Sequence, residues 1–103
     1  MRYSVVLTVA AAQDFRQLDG SLKVPVAKQL RKLETAPRLG EHLGNRAGLC
    51  LTGYYKLYAA KKSIRIVYRI IDQEILVEVV AIGKREDLAV YQEALKRLTQ
   101  QKR

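Results

Sequence analysis

Lys56, Arg65, Arg69, Lys84 and Arg85 all fall inside or at the ends of runs rich in Ile, Val and Tyr. Cations placed in strand-forming runs mount positive charge on a rigid surface and not on a disordered tail. Guanidinium forks on such a surface match phosphate oxygens two at a time. The whole chain shares the bias: 19 Lys and Arg stand against 10 Asp and Glu, a formal net charge of +9. That balance favours a polyanionic partner, whether nucleic acid, anionic membrane or acidic protein, without choosing among them.

Other chemistries are hard to assemble from this sequence. Cys50 is the only cysteine and cannot close a disulfide within the chain. His42 is the only histidine and lies between glycines in an expected loop, which removes a His–His pair and a zinc cluster from consideration. No His, Cys or carboxylate grouping with ligand spacing lies near the basic runs, so neither a metal nor another cofactor is expected. No apolar N-terminal stretch is long enough for a signal peptide or a membrane span, and a reducing cytoplasm fits best. With 103 residues, 49% of them hydrophobic, one domain over 1–103 is expected.

The elements that must position the cations follow from periodicity. Tyr3 to Leu7 reads as a strand, and Thr8 as the cap of a helix to about Leu18 with Ala11, Phe15 and Leu18 on one face. After Asp19-Gly20-Ser21, the spacing of Leu22, Val26, Leu30 and Leu33 predicts a second helix starting near Ser21 or Val24, with Pro25 in its first turn. Lys23, Lys28, Arg31 and Lys32 form its solvated face. Ala36-Pro37 ends it, and Leu39 to Gly48, with three glycines and an Asn, reads as a loop. Tyr54–Ala59, Ser63–Ile71 and Glu74–Ile82 then predict an antiparallel three-stranded meander, because Ala60-Lys61-Lys62 and Asp72-Gln73 are too short for crossover helices. In the middle strand Ile64, Ile66, Tyr68 and Ile70 share one face, and Arg65, Val67, Arg69 and Ile71 the other. Two helices covering the apolar face would leave Arg65 opposite, where Lys56 or Tyr58 can join it. After Gly83, Val90, Tyr91, Ala94, Leu95 and Leu98 form the apolar stripe of a last helix.

The run Tyr55-Lys56-Leu57, then Ile64-Arg65-Ile66-Val67-Tyr68-Arg69-Ile70, then Ala81-Ile82-Gly83-Lys84-Arg85-Glu86 and Val90-Tyr91 resembles the RelE family of bacterial toxins, in the RelE/ParE superfamily. The likeness extends across the chain, with its specificity in residues 55 to 91 and only general pattern in the N-terminal half. It implies an α+β fold of order β-α-α-β-β-β-α, a small antiparallel sheet packed against two N-terminal helices with a C-terminal helix. It also implies a ribosome-dependent endoribonuclease that enters the ribosomal A site, cuts the mRNA codon there and is held inactive by a cognate antitoxin. The partners would be that antitoxin, the ribosome with the 16S rRNA region of its A site, and mRNA, with no membrane. Lys56, Arg65, Arg85 and Tyr91 fall on four positions the family uses for cleavage. Better-known members carry a second lysine two residues after the first, where this sequence has Tyr58; Lys61 or Lys62 would compensate only if the turn folded them back. Tyr58, Lys61, Lys62 and Lys84 are the further residues expected to hold RNA. The ParE-like branch, which shares the fold and poisons DNA gyrase by binding, is the competing reading; the four retained positions favour the nuclease. A third reading is a binding module whose catalysis has lapsed through Tyr58.

These residue types suit RNA cleavage without metal, in which a 2′-hydroxyl attacks the adjacent phosphate. Arg65 and Arg85 would stabilise the developing negative charge. Like charges packed close by make a neutral lysine more accessible, a condition Lys56 beside Arg65 meets. Tyr91 would orient the 2′-hydroxyl, share in its deprotonation or stack on a base.

Overall fold

The computed structural model describes residues 2–46 and 49–84. The helix expected after Gly83, and with it Arg85 and Tyr91, lies outside them. Strand β1 (Ser4–Leu7) leads into helix α1 (Val9–Arg16), and helix α2 (Gly20–Lys32) follows. Thr8 caps α1 as its sequence position predicts, its Oγ1 accepting from the Ala11 amide at 3.1 Å. Helix α2 starts earlier than Pro25 alone would suggest, so the proline sits inside the helix and not in its first turn. An interior proline costs roughly 3 kcal/mol. The stripe of Val26 and Leu33, both fully buried, offsets that at roughly 1.5–3 kcal/mol per side chain, with Leu22 and Leu30 adding partial burial.

Four more strands follow: β2 (Glu41–Arg46), β3 (Leu49–Ala59), β4 (Ile64–Ile71) and β5 (Leu76–Lys84), with one 3-10 turn at Asp72–Glu74 between the last two. The five form one sheet in the order β1-β5-β4-β3-β2. The meander of β3, β4 and β5 is the one expected. Two features differ from the expectation. The sheet is mixed, because β1 runs parallel to β5, with Ser4 opposite Leu76 and Leu7 opposite Val79. Strand β2 also occupies what reads as a glycine loop. Its composition lacks β-formers, but its backbone finds partners along β3, with Glu41 opposite Lys56 and His42 opposite Tyr55. The glycines accommodate an irregularity: between Tyr55 and Leu51 β3 takes four steps against two between His42 and Gly44, and Gly44 and Gly53 hold φ of +83° and +92°. His42 closes this kink. Its Nε2 accepts from the Gly53 amide at 3.0 Å, and its ring meets Tyr55 edge-on at 5.3 Å.

Alternation then divides the sheet. Leu57, Ala59, Ile64, Ile66, Tyr68, Val77, Val79 and Ile82 form one buried cluster with Ala11, Val26 and Leu33 of the helical side. Lys56, Tyr58, Arg65 and Arg69 belong to the opposite face. An irregularity on β5, where Val67 pairs with Ala81 but Tyr68 with Val79, leaves Val80 as the extra residue.

Candidate active site on the β3–β4 hairpin

Register builds the site. Lys56 lies opposite Val67 and Tyr58 opposite Arg65, so Lys56 and Tyr58, two residues apart, share a face with the Arg65 that stands across from Tyr58. The Lys56 Nζ donates to the Tyr58 hydroxyl at 3.0 Å and lies 5.0 Å from the centre of its ring. Arg65 approaches the same hydroxyl through an η-nitrogen at 3.5 Å, with its guanidinium carbon 5.6 Å from the ring centre. Tyr58 is therefore held between two cations. Those two donors, Lys56 first and Arg65 second, pull its phenol down to about 8 from 10.0, against a smaller upward push from burial.

Lys56 is 9% exposed, rare for a lysine, and the ion pair it makes with Glu41 Oε1 at 3.4 Å gives its ammonium a counter-charge. Arg69, further along the face, forms an ion pair with Glu78 at 2.7 Å. Its neighbour Tyr54 is buried, which pushes that phenol up. Arg69 thus spends its charge within the sheet.

The scaffold behind the site is specific. Gln29 of α2 donates through Nε2 to the Tyr58 carbonyl at 2.7 Å, which ties the hairpin to the helix. Tyr68, fully buried, accepts from the Gly40 amide at 3.0 Å and donates to the Pro37 carbonyl at 2.8 Å, so the segment entering β2 is fixed against β4. Gly40 must be glycine there, since a Cβ would collide with the Lys56 carbonyl and stand 2.7 Å from the Tyr68 hydroxyl oxygen.

The structure gathers Lys56, Tyr58 and Arg65 and, among the described residues, sets Lys61, Lys62 and Lys84 elsewhere. Lys61 and Lys62 sit in the turn after β3, where Ala60, Lys61 and Lys62 all take positive φ. They border an open depression of about 370 Å³ shared with Tyr58, Pro25, Lys28 and Gln29. Lys84 pairs with Ile64 and so belongs to the helix-bearing side, at a second depression with Asp14 and Asp19. Arg85 and Tyr91 lie outside the described residues. Two residues escaped the sequence reading. Glu41 was hidden in the supposed loop, whereas Gln29 carried a signal, being a polar residue beside Val26 and Leu30 on the inward stripe of α2.

Fold, register and the cluster on the β-hairpin define a small α+β protein with a basic sheet face, and comparison with known proteins gives its family. Residues 5–89 match the family described as the ParE toxin of the type II toxin-antitoxin system parDE. The mRNA interferase toxin RelE of Escherichia coli strain K12 is 30% identical over 98 residues, which cover 95% of this chain and 99% of that protein. The chain belongs to the RelE/ParE toxin superfamily. Among solved structures, an E. coli toxin RelE with two arginines replaced by alanine, in the free state, superposes with a TM-score of 0.77 at 28% identity, covering 95% of this chain and 99% of its own. The intact E. coli RelBE toxin-antitoxin complex matches with a TM-score of 0.65 at 25% identity, over 82% of this chain and 99% of that one.

Proposed function

We propose that this protein is the toxin of a type II toxin–antitoxin pair and an endoribonuclease that cuts mRNA in the ribosomal A site, stopping translation in the cytoplasm. The observation that carries the reading is the Lys56–Tyr58–Arg65 cluster on one sheet face of a chain whose K12 relative is named an mRNA interferase. In this reading the RNA 2′-hydroxyl attacks the adjacent phosphate, giving a 2′,3′-cyclic phosphate and a free 5′-hydroxyl. Arg65 and Arg85 stabilise the negative charge that grows on the phosphoryl oxygens, because fixed cations are worth most where charge develops. Lys56, bonded to Tyr58 and paired with Glu41, adds positive potential beside them. Tyr91 orients the 2′-hydroxyl or stacks on a base. Lys61, Lys62 and Lys84, at the borders of the two depressions, meet neighbouring phosphates of mRNA or 16S rRNA.

The structure of RelE bound to RelB in E. coli supports an antitoxin for this chain too, and a net charge of +9 suits an acidic one. The relative's name and the positions retained by resemblance favour nuclease over gyrase poison. Translation of a defined message with the purified protein, followed by primer extension with and without ribosomes, tests the proposal. Codon-phased cuts that require ribosomes are expected; a message left intact there, with DNA synthesis arrested before translation when the protein is induced in cells, would replace it with the gyrase reading.

A further inference from the structure

We infer that Tyr58 is the proton acceptor of the cleavage, its phenolate taking the proton of the attacking 2′-hydroxyl. The inference rests on the nuclease reading above and deepens it. Geometry carries it. The Tyr58 oxygen is the acceptor for the Lys56 ammonium at 3.0 Å and is approached by Arg65 at 3.5 Å, so the two cations proposed to face the phosphate converge on one oxygen. An oxygen between two fixed cations is best solvated as an anion, as its downward shift to about 8 agrees. At pH 7 a phenol with that value is about one-tenth ionised, against about one-thousandth at its ordinary value. A base with its pKa near working pH combines availability with proton affinity.

The surroundings narrow the choice. From its own strand β3, Lys56 faces the hydroxyl, and from β4, Arg65 does. From β2, Glu41 pairs with Lys56 at 3.4 Å. From α2, Gln29 holds the Tyr58 carbonyl and not its ring. Glu78 of β5 is engaged by Arg69 at 2.7 Å. Among the described residues of these elements Glu41 is the competing acceptor, and its side chain is 65% exposed.

The step balances as follows. The 2′-hydroxyl proton passes to the Tyr58 phenolate, the 2′-oxygen forms a bond to phosphorus, and the bond from phosphorus to the 5′-oxygen breaks. The departing 5′-oxygen takes a proton from solvent water. Tyr58, left as a neutral phenol beside Lys56 and Arg65, returns its proton to solvent.

The test is single-turnover cleavage of a message on programmed ribosomes across the pH range from about 6 to 10, with the full chain carrying Tyr, Phe or a ring-fluorinated tyrosine at position 58. Wild-type log rate should rise with unit slope and level near pH 8. Tyr58→Phe, which keeps the ring, should lose that break and about 10²-fold or more of the plateau rate at an unchanged melting temperature. The more acidic fluorotyrosine should move the break to lower pH, a shift that neither base stacking nor packing produces. Wild-type protein that cuts while Tyr58→Phe cuts equally, with the same break, would overturn the role of Tyr58 and leave the nuclease intact. A break that stays fixed with fluorotyrosine and vanishes in Glu41→Gln would give the role to Glu41. Wild-type protein that fails to cut on ribosomes would remove both readings together.

Discussion

Lys56 and Arg69 are both cations on the same sheet face, and their partners separate their roles. Arg69 closes an ion pair with Glu78 at 2.7 Å, whereas Lys56 and Arg65 converge on a tyrosine oxygen. Arg65→Ala should therefore lower the single-turnover cleavage rate by about 10²-fold or more with little change in melting temperature, since a transition-state donor is lost and not a core contact. Arg65→Lys should restore only part of it, because an ammonium cannot reproduce the planar fork. Arg69→Ala should do the reverse, lowering the melting temperature by uncovering Glu78 while the folded fraction cuts near the wild-type rate. Measuring both quantities on the same preparations checks the assignment; equal kinetic losses for the two arginines would contradict it. Period-two alternation made Arg65 and its face legible in the sequence. The cradle around Tyr58 was not, because a hydrogen bond between residues two apart depends on side-chain rotamers and on what stands across the ladder.

At the scale of the elements, the site depends on how tightly β2 enters beside β3. Tyr68 joins that segment to the core through two hydrogen bonds, so Tyr68→Phe strands the Gly40 amide and the Pro37 carbonyl. A cost of roughly 1–3 kcal/mol is expected, read as a lowered midpoint in urea with an unchanged slope. Gly40→Ala should cost a similar roughly 1–3 kcal/mol by forcing a methyl against the Lys56 carbonyl. It should also depress cleavage beyond its effect on folding, since Lys56 is what the intruding group displaces; wild-type stability in Gly40→Ala would show that the segment is not held as described. The sequence foretold α1 through its Thr8 cap and the β3–β4–β5 meander through its short intervals. It hid β2, because Glu41–Arg46 is poor in β-formers and its strand is specified by its partner β3 and not by its own propensity. The parallel seat of β1 on β5 was equally hidden, being a contact between residues as distant as Val5 and Val77.

For the whole molecule, the pH limits of folding follow from where tyrosines and carboxylates sit. The Asp72 carboxylate accepts from the Tyr3 hydroxyl and from Arg38, each at 2.7 Å, which ties the chain ahead of β1 to the turn before β5 and holds Asp72 below its ordinary 3.8. A depressed carboxyl stabilises the fold above its unfolded value and loses that contribution as pH falls through the folded one. Melting temperature should thus fall below about pH 4, and less steeply in Asp72→Asn. Burial pushes Tyr54 and Tyr68 above 10.0, so their contribution is complete below that pH and is lost as pH rises through their folded values. Alkaline scans of Tyr68→Phe should show a shallower decline. Across the molecule a surplus of nine positive charges predicts ribosome association that weakens steeply with salt, while the chemical step on a bound ribosome changes little. The most direct test of the central claim is the chemistry of the cut end. Purified protein is added to ribosomes stalled on a defined message, and the 3′ terminus of the upstream fragment is identified. Attack by the 2′-hydroxyl predicts a cut within the A-site codon that leaves a 2′,3′-cyclic or 3′-phosphate, with a 5′-hydroxyl on the downstream fragment. A 3′-hydroxyl at the cut, or a message left whole on the ribosome by folded protein, would contradict it.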